Sequence, residues 1–248
     1  PIGGRALPTV VVPHGGPHAA CLTAWSMPLA FLCALGFAVV QVNYRGSTGY
    51  GETSLQSLPG NIGSQDVQDM LLAVDTVIAS GLADKDAISV VGGSHGGFLT
   101  AHLLGQAPSR FRAGVLRNPV CNLATMVGTT DIPDWCYVEA FGKGPSKFRT
   151  VPTPSDLQRF FEVSPISHID EVQAPTMFLL GKCDRRVYLA DALQYVQALR
   201  ARQHEPHVKV FPDDGHPLSN VQTEYESYLN IAGFLKCHVL GVSESNSA

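Results

Sequence analysis

The fold is decided by residues 88–98, which read Ile88-Ser89-Val90-Val91-Gly92-Gly93-Ser94-His95-Gly96-Gly97-Phe98. A short apolar strand here runs into a Gly-x-Ser-x-Gly turn, and a helical pattern follows from Phe98 to Gln106. The turn is sharp, so bulky neighbours of the serine would clash, and glycines are needed on both sides of it. The stretch therefore predicts a strand, a tight turn that carries Ser94, and a helix whose N-terminus points at the serine.

Further apolar segments bounded by Gly, Pro or Asn resemble this strand. Short strands that alternate with helical patterns are typical of a mostly parallel sheet with helices on both faces. The α/β class follows from that alternation. Six strands are predicted: Thr9–Pro13, Ala38–Asn43, Ile88–Gly92, Gly114–Arg117, Thr176–Gly181 and His207–Phe211. We expect the first of them to be an uncovered edge of the sheet.

Three segments show helical periodicity. One begins near Ser64, a candidate N-cap, and ends before Gly81. A second has an apolar face made of Leu189, Ala192, Leu193, Val196 and Leu199. The third runs from about Val221 to Lys236, and its pattern predicts inward positions for Tyr225, Tyr228, Leu229 and Phe234.

The stretch 124–167 differs from the rest, because it is Pro-rich and aromatic and lacks a clean period. Its aromatic residues are Trp135, Tyr137, Phe141, Phe148, Phe160 and Phe161. A long connection of this kind favours an insertion over the top edge of the sheet.

A serine at such a turn needs an orienting carboxylate and a histidine later in the chain, each on a loop after a strand. Asp184 follows the strand Thr176–Gly181, and His216 follows His207–Phe211. The order predicts the α/β-hydrolase fold, with Ser94 as nucleophile, Asp184 orienting the imidazole, and His216 acting as general base and then as acid.

Other residues compete for these roles. Asp213 and Asp214 occupy the histidine loop itself, where solvated turn residues are more usual. Three other histidines precede or adjoin the serine, namely His14, His18 and His95, and His102 belongs to the helix after it. The remaining four are interpreted as surface or packing residues, namely His168, His204, His207 and His238.

An oxyanion needs two hydrogen-bond donors, and the first is the backbone N–H of the residue after the nucleophile, here His95. The second is expected from the loop after an early strand, and Gly16 in His14-Gly15-Gly16-Pro17 is the predicted donor. His14 and His18 are not predicted to bind a metal, because the Gly-Gly-Pro run between them forbids the helix that would align two imidazoles. No metal or cofactor is predicted.

The composition of the 248 residues excludes several classes of protein. Lys and Arg number 17 against 21 Asp and Glu, a net charge of −4, and no basic cluster exceeds Arg185-Arg186, which argues against a nucleic-acid partner. No apolar run approaches the roughly 20 residues that span a bilayer. Six cysteines without a Cys-x-x-Cys pair favour reduced thiols in a cytoplasmic protein over a zinc site or a disulfide framework.

Charged residues make up 15% of the chain, below the roughly 25% of ordinary soluble domains. We therefore expect another segment or chain to cover part of the surface. The chain also begins at Pro1 rather than at Met, which we interpret as the mark of a fragment or a processed product.

Several motifs resemble the prolyl oligopeptidase family of serine peptidases, and within it the acylaminoacyl-peptidases, or acyl-peptide hydrolases. They are His14-Gly15-Gly16-Pro17-His18, Asn43-Tyr44-Arg45-Gly46-Ser47-Thr48-Gly49-Tyr50-Gly51-Glu52, Gly92-Gly93-Ser94-His95-Gly96-Gly97 and Asp184-Arg185-Arg186-Val187. The segment Asp131-Ile132-Pro133-Asp134-Trp135-Cys136, with the later Ser164-Pro165-Ile166, is similar to the animal acylaminoacyl-peptidases in particular.

The resemblance implies that residues 1–248 are the catalytic domain and that a β-propeller on a preceding segment restricts entry to short peptides. It also implies oxyanion support from the Tyr50 hydroxyl and a substrate contact from Arg186, and we add Trp135 as a candidate substrate-binding residue. A homo-oligomer is expected.

The predicted function is release of an N-acylated residue from the blocked end of short peptides, through an acyl-enzyme on Ser94. Two other functions remain open. One is a carboxylesterase, a lipase or another oligopeptidase of the same family with the same triad, and the other is a non-catalytic interaction module.

Overall fold

The computed structural model describes residues 5–142 and 151–242, and in these residues six strands form one parallel sheet. The strands are β1 (Leu7–Pro13), β2 (Ala38–Val42), β3 (Ala83–Gly93), β4 (Ala113–Arg117), β5 (Thr176–Gly181) and β6 (His207–Phe211). Every predicted strand is present, and the predicted α/β class and parallel sheet are confirmed. The main difference is β3, which begins five residues earlier than the apolar run suggested.

The order across the sheet is β2-β1-β3-β4-β5-β6, with every neighbouring pair parallel. The predicted edge position of β1 was wrong, because β1 pairs with β2 on one side and β3 on the other. The chain crosses back over β1 on its way from β2 to β3, so the edge strands are β2 and β6. An apolar strand sequence indicates that the strand is buried, but it does not indicate which strands lie beside it.

Successive side chains of each strand enter two different cores, as the period of two requires. The helices are α1 (Met27–Ala34), α2 (Glu52–Leu55), α3 (Gln65–Ala79), α4 (His95–Gln106), α5 (Leu123–Met126), α6 (Pro133–Phe141), α7 (Pro154–Glu162), α8 (Leu189–Ala201) and α9 (Val221–Leu240). Val11, Leu116 and Phe178 pack with helices α3, α4 and α8, whereas Val10, Val115 and Leu179 pack with α1 and α9. Because every neighbouring pair of strands is parallel, all strands present their carboxyl ends at one edge, where functional loops of such sheets gather.

The predicted helices correspond to α3, α8 and α9, with differences in detail. Ser64 occupies the N-cap position of α3, but its hydroxyl donates to the Asn61 carbonyl and does not cap the helix. In α9, Phe234 is buried as predicted, whereas Tyr225 and Leu229 are 62% and 48% exposed. The inward assignment of those two was wrong, because α9 buries one narrow stripe around Ile231 and Leu235 and they lie outside it.

The described parts of residues 124–167 are more regular than their sequence suggests. They contain the end of α5, all of α6 and α7, and the start of a 3-10 helix at Pro165–Glu171. Their aromatic residues Tyr137, Phe141 and Phe160 pack against each other. The predicted aromatic Phe148 lies outside the described residues.

Candidate active site

Ser94 stands between the last residue of β3 and the first residue of α4. Its backbone has φ 58° and ψ −124°, a strained conformation for a residue with a side chain. A Cβ on Gly92 would lie 2.1 Å from the Gly96 carbonyl oxygen, and one on Gly96 would lie 2.3 Å from that of Pro13. The glycines are thus required by close backbone contacts, and they allow the turn to hold Ser94 in this conformation.

His216 and Asp184 lie in hydrogen-bonding contact at the same edge of the sheet. The distance from His216 Nδ1 to Asp184 Oδ2 is 2.7 Å, and Asp184 Oδ1 accepts from the N–H groups of Arg186 (2.8 Å) and Val187 (2.9 Å). The Asp184 side chain is fully buried and that of His216 is 24% exposed. The carboxylate therefore has a partner on each oxygen and holds the ring through Nδ1.

Asn118, the residue after β4, connects the two loops that carry this pair. Its Nδ2 donates to the carbonyls of Gly215 (3.0 Å) and His216 (2.9 Å), and its Oδ1 accepts from Gly181 N (2.8 Å). It is almost fully buried and has φ 39°. Through one amide, the end of β5 and the histidine loop are held in a fixed relation.

The two rival aspartates differ from each other. Asp213 is exposed, as a turn residue would be. Asp214 is buried, and its carboxylate accepts from the N–H groups of Gly215 (2.8 Å) and Asn220 (2.9 Å). The expectation that Asp214 is a solvated residue was wrong, because it organises the loop from inside. It is Asp184 that contacts the His216 ring.

His95, the predicted oxyanion donor, is the first residue of α4, so its N–H has no partner within the helix. Its side chain is fully buried and forms a second histidine–carboxylate pair, with 3.0 Å from Nε2 to Asp66 Oδ2. Asp66 is also fully buried. Nδ1 of His95 has no hydrogen-bond partner among the described residues, and Phe98 stacks on the ring.

The loop after β1 lies directly against the serine. A Cβ on Gly15 would approach Ser94 Cβ to 3.3 Å, and Gly16, the predicted second donor, has φ 119°. His14 Nε2 lies 2.8 Å from Ser47 Oγ, and the His14 carbonyl accepts from the Tyr44 hydroxyl at 2.8 Å. The predicted loop therefore does approach the nucleophile, with Gly15 making the closest packing.

Three predicted residues of secondary importance lie in different surroundings. Trp135 on α6 meets His95 edge-on, with 6.1 Å between ring centroids. Arg186 pairs through Nε with Asp131 at 2.7 Å, which lowers the pKa of that carboxyl and is an exposed contact. Tyr50 is 59% exposed, and its hydroxyl accepts from Asn43 Nδ2 at 2.7 Å. Of these three, Trp135 is the one whose contact with the Ser94 turn is direct.

Sequence reasoning missed Asn118, Asp66 and Glu139, the buried polar residues behind the site. Asn118 had a signal, because it is a polar residue at a strand end beside Pro119. Asp66 and Glu139 had less, since a single acid on an amphipathic helix usually faces solvent. In the structure Asp66 is fully buried and Glu139 is 1% exposed.

Two broader properties concern the part of the chain that the structure describes. Within it, there is no cluster of three or more His, Cys, Asp or Glu side chains placed to hold a metal ion. Nor does any of its helices combine the length and apolar character needed to cross a membrane.

Residues 24–241 match the family model described as "Prolyl oligopeptidase family". The acylamino-acid-releasing enzyme of Arabidopsis thaliana is 55% identical over 229 residues, which are 92% of this chain and 30% of that protein. The enzyme of the same name from Homo sapiens is 45% identical over 233 residues, 94% of this chain and 32% of that protein.

A solved structure shows the same fold. Pyrococcus horikoshii acylaminoacyl peptidase superposes with a TM-score of 0.86 at 24% identity, over 97% of this chain and 38% of that one. The chain thus spans about a third of the length of the curated relatives named above.

Proposed function

The chain belongs to the prolyl oligopeptidase family, and we propose that it is the catalytic domain of a serine peptidase that releases N-acylated amino acids from short peptides. The observation that carries the proposal is the His216–Asp184 pair at the sheet edge where the strained Ser94 turn ends β3. The names of the relatives that are 45–55% identical support the substrate class.

In the proposed reaction, the Ser94 hydroxyl attacks the carbonyl carbon of the acylated first residue. His216 Nε2 takes the serine proton as the C–O bond forms, and Asp184 stabilises the resulting imidazolium. The same proton then passes to the leaving amine as the C–N bond breaks, which leaves an acyl-enzyme. Water, activated by His216, hydrolyses that ester and regenerates the serine.

The developing negative charge needs fixed donors. We assign the first to the His95 N–H, which has no partner within its helix, and the second to the Gly16 N–H of the loop beside Ser94. Trp135, Tyr50 and Arg186 are proposed to contribute to substrate binding or oxyanion support, of which Trp135 has the contact nearest to the turn.

The relatives are more than three times as long as the matched segment, which supports a longer enzyme. We propose that a β-propeller on a preceding segment limits access to short peptides, and that the whole protein is a cytoplasmic homo-oligomer. Size-exclusion chromatography of the full-length protein and of this chain alone tests this arrangement. An active, monodisperse monomer of this chain alone would overturn the need for the partner segment.

The activity is tested with two substrates and one covalent probe. We expect turnover of N-acetyl-alanine p-nitroanilide, little turnover of a long-chain p-nitrophenyl ester, and labelling by a fluorophosphonate. Ser94→Ala is expected to abolish labelling and to lower turnover by roughly six orders of magnitude, because triad members act as a unit. A preference for the long-chain ester would identify a lipase instead, and absent labelling would indicate a non-catalytic module.

A further inference from the structure

The hydrogen bonds of His18 determine its protonation state. Its Nδ1 lies 2.8 Å from the Gly46 carbonyl oxygen, and its Nε2 lies 3.0 Å from Glu139 Oε1. Both partners are acceptors, and a neutral imidazole can donate from only one nitrogen. With Glu139 as a carboxylate, both contacts are therefore hydrogen bonds only when His18 is an imidazolium.

His102 shows the opposite case in the same chain. Its Nε2 lies 3.1 Å from the Val163 carbonyl oxygen, an acceptor, and its Nδ1 lies 2.8 Å from Gln106 Nε2, a donor. One acceptor and one donor fit the neutral ring, and burial lowers the pKa of His102 to about 3. The two histidines are thus built for different charges.

Glu139 supplies the counter-charge for His18. Its side chain is 1% exposed, and its Oε2 has no hydrogen-bond partner among the described residues. A buried carboxylate without a cation would be costly, so the His18 imidazolium stabilises it. The contact spans 121 residues of sequence and connects α6 to the loop after β1.

We propose that His18, as an imidazolium bound between Glu139 and Gly46, is a positioning residue that holds the 14–19 loop against Ser94. The inference rests on the proposed function, because that loop carries the assigned donor Gly16. Gly15 packs on Ser94, and Thr48 N donates to the Ala19 carbonyl on the other side of His18. Loss of either His18 bond releases the middle of this loop.

The charged and titratable groups near His18 come from three elements. Its own loop contributes His14, whose ring is held by Ser47. The segment 43–50 contributes Tyr44, with a phenol pKa raised by burial, and Arg45, which is paired with Asp69. Helix α6 contributes Glu139 and Cys136, a thiol whose pKa is raised by burial to about 12. Of these groups, Glu139 is the one in direct contact with His18.

The direction of the pH effect follows. The hydrogen bond to Glu139 raises the pKa of His18 above its usual value. Below that pKa the ring is charged and makes both bonds. Above it, one of the two bonds is lost, so activity should decline on the basic side of the profile.

The test is the pH dependence of the fluorophosphonate labelling rate in the full-length protein that carries this chain. In the wild type we expect the labelling rate to fall at basic pH, which we call the basic limb, and to recover fully when the pH is returned to neutral. Glu139→Gln keeps the shape but replaces the anion by an amide that can donate to the neutral His18 ring, so both bonds no longer depend on the charge and the basic limb should be lost. Asp134→Asn, an exposed acid on the same helix, is the matched control and should leave the limb unmoved.

A second variant keeps the test decisive if Glu139→Gln does not fold. His18→Gln has no titrating proton, so its basic limb should be absent and its labelling rate at neutral pH about tenfold lower, because the loop is less well placed. With a small ester as substrate, kcat should fall and KM should stay unchanged. A purely structural role would change the yield of folded protein and leave the limb in place.

Two results would overturn the proposal: a limb at the same pH in Glu139→Gln, or a limb that persists in His18→Gln. Labelling requires Ser94, His216, Asp184 and the oxyanion donors but no acyl-peptide, so these readings stand even if acyl-peptides are not substrates. Failure of the proposed function would appear separately, as labelling without turnover of N-acetyl-alanine p-nitroanilide.

Discussion

Two histidine–aspartate pairs lie near Ser94, and they differ in access to solvent more than in geometry. His216 and Asp184 are 2.7 Å apart with the histidine 24% exposed, whereas His95 and Asp66 are 3.0 Å apart with both side chains fully buried. We call His216–Asp184 the open pair and His95–Asp66 the sealed pair. An open pair can exchange protons with a substrate, whereas a sealed pair can only hold its neighbours in place. Under the proposed mechanism, the same residue types serve chemistry when they are exposed and architecture when they are buried.

The largest expected effect concerns the open pair. Asp184→Asn should lower turnover by roughly 10⁴-fold, because the amide favours the wrong imidazole tautomer while the fold is kept. The measurement is kcat on N-acetyl-alanine p-nitroanilide, with circular dichroism to confirm folding. A loss below tenfold would show that His216 does not depend on Asp184, and the assignment of the open pair would be wrong.

The next effect concerns a buried histidine outside both pairs. His102 is fully buried on α4, and burial lowers its pKa from 6.5 to about 3. The unfolded chain therefore binds more protons between these values, and stability present above pH 6.5 is lost as the pH falls. The free energy of unfolding should drop by more than about 1 kcal/mol per pH unit from this residue alone.

Urea unfolding from pH 7 to pH 4.5 measures that slope. His102→Gln should flatten it, and His204→Gln, a half-exposed control, should not. Equal slopes in both variants would mean that His102 is protonated in the folded state.

A smaller effect is expected for the sealed pair. Asp66→Asn leaves Ser94 and His216 in place but weakens the hold on the His95 ring. We expect kcat to fall by about tenfold, because the His95 N–H shifts relative to the reacting oxygen. A 10⁴-fold loss equal to that of Asp184→Asn would erase the distinction between the two pairs.

The smallest effects separate the two rival aspartates. Asp213→Asn should change neither turnover nor melting temperature, because the side chain is exposed. Asp214→Asn should cost about 1–2 kcal/mol of stability, since its carboxylate accepts from two loop N–H groups. A large loss of turnover in Asp214→Asn with unchanged stability would show that Asp214, and not Asp184, orients His216.

The open pair could be predicted from the sequence, and the sealed contacts could not. Ser94, Asp184 and His216 each follow a recognisable apolar strand, so their place at one edge follows from a parallel sheet. Asp66 and Glu139 bond to residues 29 and 121 positions away. Nothing local indicates such partners, because an isolated acid on a helix has the same sequence pattern whether it is solvated or buried.

The same reason explains the errors in the fold. Strand bounds depend on local apolar runs and were close to those observed, but the interior place of β1 depends on how the chain crosses the sheet. Likewise, Tyr225 and Leu229 match a helical period, and only the position of the sheet decides which stripe of α9 is covered.

The amide of Asn118 has a consequence for anyone who redesigns this site. Among the described residues its hydrogen bonds go to main-chain groups, namely Gly181 N at the end of β5 and the carbonyls of Gly215 and His216. Exposed side chains of the histidine loop, such as Asp213, can therefore be exchanged without breaking these hydrogen bonds, whereas an inserted or deleted residue would displace them. Redesign of the histidine loop should vary its chemistry at constant length.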